Sequence, residues 1–206
     1  MSSEYDSLSL TRSASHADSE AFEQVRELFQ AAGRPYLSSP WSWAAWGLAL
    51  PIAALLTREI ARHGGFPWVA ILWSVAILAA GLVEAWAMVR AGAGGSPLAS
   101  WALHVQGNLS LVALAISVLL LLRNQASLLP GLWLLLLGHS FYSLGGLSYR
   151  ELRRYGLAYQ LGGLIALFSG GASLWIFAVT TAVANFGLAA TIWRRARDPH
   201  SPPPSR

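Results

Sequence analysis

Six apolar stretches follow one another between Trp41 and Trp193, at roughly 41–60, 67–89, 98–122, 128–147, 155–170 and 174–193. An α-helix rises about 1.5 Å per residue, so about 20 apolar residues cross a hydrocarbon core of about 30 Å. Five stretches have that length. The fifth, Tyr155 to Gly170, reaches it only if its helix begins near Arg150. Almost nothing separates the stretches, so the pattern predicts an all-α fold: a polytopic membrane helix bundle with six transmembrane helices over residues 38–195.

The flanks differ from this core. Residues 1–17 are Ser-rich, have no apolar periodicity and read as a disordered tail. They carry no signal peptide, because no apolar run follows a basic start. Within residues 18–37, Phe22, Val25, Phe29 and Ala32 recur at spacings of three and four, with Glu20, Glu23, Arg26 and Glu27 mostly elsewhere. Asp18 or Ser19 can cap this segment, and Gly33 with Pro35 ends it. It is expected to be a short amphipathic helix on the membrane surface, followed by a linker. Residues 196–206 are Pro-rich and read as a second disordered tail.

Composition narrows the chemistry. Charged residues make up 12% of the chain and hydrophobic ones 54%, against about 25% charge in a soluble domain. Every Lys+Arg position is Arg, which excludes a retinal Schiff base and a Ser-Lys hydrolase. With no Cys, disulfides, thiolate nucleophiles, iron–sulfur clusters and thiolate zinc sites are excluded as well. A net charge of +4 does not point to nucleic acid, because the Arg residues sit at helix ends, where a membrane places them. Arg-only usage with abundant Ala, Gly and Leu fits a GC-rich bacterial genome, hence a bacterial inner membrane.

Those Arg residues also give an orientation. With a cytoplasmic N-terminus, the inside collects Arg26, Arg34, Arg90, Arg150, Arg153, Arg154, Arg194, Arg195 and Arg197, and the outside only Arg58, Arg62 and Arg123. This bias and an even number of spans place both termini inside. Trp41, Trp43, Trp86, Trp101, Tyr149, Tyr155 and Trp193 then fall near the inner interface, with Trp68 and Trp175 near the outer one.

Polar groups inside a bilayer are costly, so each asks for a reason. They are few: Glu84, His104, Gln106, Asn108, His139, Gln160 and Asn185, with Tyr142 and Tyr159 beside them. Counted from the inner helix ends, Glu84, His104, His139, Gln160 and Asn185 all lie roughly 7–12 Å below the cytoplasmic interface, with Asn108 deeper. Such a layer is either structural, its members hydrogen-bonded between helices, or the lining of a small-ligand pocket. The ligand-binding version uses Glu84, His104, Asn108, His139, Gln160 and Asn185. Its sharpest form is a b-type haem with His104 and His139 as axial ligands; otherwise no metal or cofactor is expected. No HExxH or G-x-S-x-G motif is present, and an acid–base pair for lipid chemistry would have to be Glu84 with His104.

Loop four concentrates charge at Tyr149, Arg150, Glu151, Arg153, Arg154 and Tyr155. It can contact anionic lipid or the acidic face of the N-terminal helix. A cytoplasmic protein partner would meet Phe22, Val25, Phe29, Arg150, Arg153 and Arg154. Segment five carries Ala158, Gly162, Ala166 and Gly170, a ridge of small residues suited to close helix packing. Pro51 interrupts segment one, and no repeat relates segments 1–3 to 4–6.

The run Leu-Pro-Gly-Leu-Trp within Leu129–Leu147, the stretch from Ser148 through Tyr149, Arg150, Glu151, Leu152, Arg153, Arg154 and Tyr155 to Gly156, then Gly162-Gly163 and the aromatic-rich Trp175–Trp193 resemble an uncharacterised family of small six-helix bacterial inner-membrane proteins. In that family the last helix often carries a His-containing stretch, where this chain has Asn185-Phe186-Gly187. The resemblance covers most of residues 20–195 and implies a fold and a location. The expected function is that of a non-enzymatic accessory, regulatory or partner-binding subunit, with membrane lipids and a cytoplasmic protein as partners and no nucleic acid. The alternative is a small-ligand or tetrapyrrole carrier that uses the polar layer.

Overall fold

The computed structural model describes residues 24–25, 39–90, 97–147 and 150–197. Five α-helices run in order: α1 (Pro40–Arg90), α2 (Pro97–Leu122), α3 (Leu129–Leu147), α4 (Arg150–Phe168) and α5 (Ser173–Arg197). Single 3₁₀ turns at Ala126–Leu128 and Gly170–Ala172 precede α3 and α5. No strand occurs among the described residues. Three stretches are long and apolar enough to cross a membrane by length and composition: Pro40–Arg90, Ala126–Gly145 and Gly170–Arg197. The expected N-terminal helix and both tails lie outside the described residues, apart from Gln24 and Val25, which are helical and exposed.

Between residues 39 and 197 the described residues form five continuous helices, where the apolar pattern predicts six, and the reason is local. The first two stretches join in α1, whose 51 residues would extend about 76 Å if straight. They are not straight. Gly65 adopts φ 72° and ψ −170°, a conformation open almost only to glycine, and breaks the helical path. Two side-chain bonds show what the break does. Trp46 Nε1 donates to Glu84 Oε2 at 2.8 Å, and Trp73 Nε1 donates to Thr57 Oγ1 at 3.0 Å. Residues 38 positions apart touch only if the two limbs, 40–64 and 66–90, run antiparallel about Gly65. Pro51, expected to interrupt the first stretch, is buried inside an unbroken limb. Pro67 sits in the first turn after the break, where its missing N–H has no helical partner to lose.

The tightest packing lies between α3 and α4, and glycine spacing explains it. Gly131, Gly138 and Gly145 recur every seventh residue on α3, and Gly156 with Gly163 do so on α4. Seven residues are two helical turns, so each set forms one stripe. A Cβ added at Gly138 would lie 2.7 Å from both the Gln160 backbone N and the Gly156 carbonyl O. The two backbones meet with no side chain between them. The small-residue ridge read on segment five is only partly used. Gly162 faces Thr180 of α5 and Ala166 is fully buried, while Ala158 is exposed. Helix α4 does begin at Arg150, so its 19 residues extend about 28 Å.

The first limb of α1 packs antiparallel to α5. Gly47 faces Asn185 and Phe186 at one end, and Arg58 donates to the Gly171 carbonyl at the other. Edge-on aromatic pairs join the helices: Trp43 with Phe141 at 5.5 Å, Phe141 with Tyr159 at 5.3 Å and Trp73 with Phe177 at 5.6 Å between ring centres. Helix α2 stands apart. It leans on α3 and the adjoining turn, and among the described residues none of its Cα atoms comes within 8 Å of α1.

Candidate functional site

Packed helices sit with axes about 8–10 Å apart, so the missing contact between α1 and α2 leaves a space. That space is a cavity of about 1040 Å³. Every helix contributes to its wall: Trp43, Trp46, Leu50, Thr57 and Arg58 from the first limb; Trp73, Ile77 and Glu84 from the second; Gln106, Ser110, Leu114, Ser117 and Leu121 from α2; Trp133, Leu137 and Phe141 from α3; Leu152 and Tyr159 from α4; Phe177 and Asn185 from α5. Spacings of three, four, seven and eight along the helices are those of single helical faces turned inward. Aromatic and aliphatic carbon dominates.

Several polar side chains in the wall are hydrogen-bonded, and these bonds lie at two levels. At one level Trp46 donates to Glu84, Ser140 donates to Gln106 Oε1, and Asn185 Nδ2 donates to the Tyr159 hydroxyl at 2.8 Å. Gly47, one residue beyond Trp46, faces Asn185, which brings Glu84, Asn185 and Tyr159 to a common depth. At the other level two clamps repeat the same chemistry. Trp73 donates to Thr57, which donates to the Ala53 carbonyl; Trp133 donates to Ser117 at 3.0 Å, which donates to the Ala113 carbonyl. In both clamps the indole follows the hydroxyl by 16 residues. Each indole N–H is thereby satisfied within the bundle, and each bond bridges two antiparallel neighbours.

The residues singled out from the sequence separate into two groups. Glu84 and Asn185 line the cavity. Gln160 instead lies over Gly138 at the α3–α4 seam, and His104, Asn108 and His139 are exposed on the bundle's outside. The cavity wall holds one carboxylate, one guanidinium and no imidazole among the described residues, and neither histidine reaches it. Ser140 is buried while its neighbour His139 is exposed, as a 100° step round a helix requires. The chamber wall therefore supplies no pair of imidazoles among the described residues. No cluster of three metal-ligating side chains occurs among the described residues.

Of the partner-contact residues, Phe22 and Phe29 lie outside the described residues and Val25 is exposed. Arg150 opens α4. Arg153 donates to the Tyr142 hydroxyl and its guanidinium lies 4.5 Å from that ring's centre, and Glu151 pairs with Arg195. Arg154 is exposed. Two of the loop-four charges thus have partners within the bundle.

Sequence reasoning missed Trp43, Trp46, Trp73 and Trp133 as wall residues. Trp43 and Tyr155, which the span ends place near the inner interface, face inward: Trp43 is buried and Tyr155 is partly buried against Thr191. Trp41, Trp86 and Trp193 do point outward, with Arg90 over Trp86 and Arg197 over Trp193. The equal 16-residue separations of Thr57–Trp73 and Ser117–Trp133 were the available signal for the inward set. Comparisons with family models, curated proteins and solved structures found no match, so the functional reading rests on this geometry.

Proposed function

We propose that this chain is a multi-pass inner-membrane protein that binds a long-chain amphiphile in the chamber between α1 and α2. In this reading the two limbs of α1 and helices α2 to α5 make six crossings, with both termini cytoplasmic as the Arg bias requires. The protein has a non-enzymatic, carrier-like role. The observation that carries the reading is the chamber itself, about 1040 Å³ with an aromatic and aliphatic wall. That size is at the upper end of the roughly 300–1,000 Å³ of small-molecule sites.

Protein interiors are packed as densely as organic crystals, and an apolar space of this size forfeits its dispersion contacts unless chains fill it. In a bilayer the nearest material of matching polarity is acyl or isoprenoid chain. Its entry path is the side of the chamber where α2 stands off α1. The accessory-subunit reading through the N-terminal helix depends on residues outside those described, whereas every wall residue named above lies within them.

The test is native mass spectrometry of the purified protein, delipidated and then supplied with mono-oleoylglycerol. One molecule per chain is expected. Ser110→Trp, which places an indole in the chamber, should reduce occupancy by at least about tenfold, equivalent to about 1.4 kcal/mol. Absence of binding by the wild type, or unchanged occupancy in a folded Ser110→Trp protein, would overturn the reading.

A further inference from the structure

One end of the chamber is marked by positive charge. Arg58 supplies the one guanidinium among the described wall residues, beside Ala61, Phe66, Leu121, Ser127 and Gly171. The charged group itself, and not only its aliphatic stem, is fixed at the wall, because Nη2 donates to the carbonyl of Gly171. A guanidinium is permanently charged and has several N–H donors, so most of its donors and its whole charge remain to be met. Among the described residues no carboxylate pairs with it. Glu59, its neighbour in sequence, lies instead 3.3 Å from Arg62 Nη1 and 3.2 Å from His63 Nδ1. Arg58 is exposed, so it stands at the rim, where a charged head group is least costly to hold. Trp46, which donates to Glu84, precedes Arg58 by 12 positions (58 minus 46) on the same limb, roughly 18 Å along the axis. A head group at Arg58 therefore does not meet Glu84. The wall between the two levels, with Leu50, Leu114 and Trp133, is mainly apolar.

From this placement we infer that the chamber takes a long-chain fatty carboxylate, its head at the Arg58 rim and its chain within the bundle. The carboxylate accepts from the guanidinium N–H groups that Gly171 leaves unused, a pairing whose planar fork suits it. The chain lies along the apolar wall toward Trp133 and Trp46. A carboxylate carries one negative charge, which one guanidinium neutralises. A phosphate monoester carries about 1.5–2 and would leave the remainder without a cation among the described wall residues. This inference rests on the amphiphile-binding reading above and names the class of its ligand.

The experiment measures oleate, mono-oleoylglycerol and oleoyl lysophosphatidate, which share one chain, on the full-length wild type, Arg58→Gln and Arg58→Lys in the same uncharged detergent. Oleate should displace mono-oleoylglycerol from the wild type. Arg58→Gln retains an amide donor for Gly171 and loses the charge. It should weaken oleate about tenfold and leave mono-oleoylglycerol within about twofold, whereas a purely structural tie would move both probes alike. Arg58→Lys keeps the charge without the fork and should fall between the two. Added salt should weaken oleate on the wild type and spare mono-oleoylglycerol, a readout that needs no variant to fold. The carboxylate assignment alone is overturned if oleate does not displace mono-oleoylglycerol, or if its binding ignores salt. It is equally overturned if a folded Arg58→Gln protein loses no more oleate than mono-oleoylglycerol affinity, or if lysophosphatidate binds the wild type more tightly than oleate. Failure of all three probes to bind the wild type overturns the chamber reading with it.

Discussion

The two flanks of this bundle are built differently from similar apolar material. On one side, α3, α4, α5 and the first limb of α1 bury nearly all of the core, including Leu134, Tyr159, Ala166, Thr181 and Asn185 at 2% exposure or less. On the other, the second limb of α1 buries Ala80 and Ala87, and α2 buries Ala113 and Ser117. Hydropathy alone does not distinguish them, since α2 is richer in Leu, Val and Ile than α3. Small residues do. The packed flank has facing glycine stripes that admit backbone against backbone; on the open flank Gly81 and Gly107 face nothing within 4 Å, and a chamber lies between its helices. Within a membrane, where lipid competes equally for apolar surface, close approach rather than hydrophobicity decides which helices bind each other.

The severest test of that contrast is Gly138→Val. Its Cβ would meet the Gln160 nitrogen and the Gly156 carbonyl at 2.7 Å, and neither is the movable end of a side chain. A loss of about 3 kcal/mol or more is expected in denaturant unfolding from micelles, or failure to fold. The matched change on the open flank, Gly81→Val, adds its Cβ where nothing lies within 4 Å and should cost no more than about 1 kcal/mol, the ordinary propensity range. Equal losses at the two glycines would remove the distinction.

Gly65→Ala is expected to have the next largest effect. A side chain at φ 72° and ψ −170° is strained even with open space around it, at about 1–3 kcal/mol. The strain acts on the fold-back of α1, so the second limb should loosen while the α3–α4 seam stays intact. A pair of spin labels across the Trp46–Glu84 level would widen its distance distribution, and a pair across Gly131–Gly163 would not. Broadening of both would mean that the flanks do not move independently.

These contrasts also explain what the sequence could and could not disclose. Apolar runs reveal spans because a bilayer imposes a length, and the joined first two stretches of α1 are separable only by the conformation of Gly65. The seven-residue glycine spacing was present in the chain, but which of several small-residue ridges would be used depends on the neighbour. The four-residue ridge from Ala158 splits between buried and exposed faces. Glu84 and Asn185 were identified by polarity and do reach the chamber. Polarity marked His104, Asn108 and His139 equally, and they point outward, because side-chain direction follows helix rotation and depth alone does not fix it. Position along the spans places Trp43 near an interface and says nothing of Trp46, Trp73 and Trp133. The inward indoles are distinguished by hydroxyls on adjacent helices, a relation that exists only after the hairpins form.

The smallest expected effect concerns one of the two side-chain bonds described between α2 and α3. Ser117 accepts from Trp133 and donates back to Ala113, so Ser117→Ala removes one interhelical bond and leaves the indole N–H of Trp133 unpaired beside the chamber. Interhelical hydrogen bonds in membranes average about 0.6 kcal/mol, so global stability should fall by about 0.5–1 kcal/mol. The local consequence is larger in proportion, because among the described residues α2 packs mainly on α3 and has no Cα within 8 Å of α1. Hydrogen exchange should rise along Leu111–Leu121 and stay unchanged in α3 to α5. The equivalent change in the other clamp, Thr57→Ala, frees Trp73, but that ring also packs edge-on against Phe177 of the dense flank. Exchange in the second limb should therefore rise less than exchange in α2. Should Thr57→Ala loosen its limb as much as Ser117→Ala loosens α2, the second limb of α1 would be held by its clamp alone, and the boundary between the dense and open flanks would move inward to the first limb.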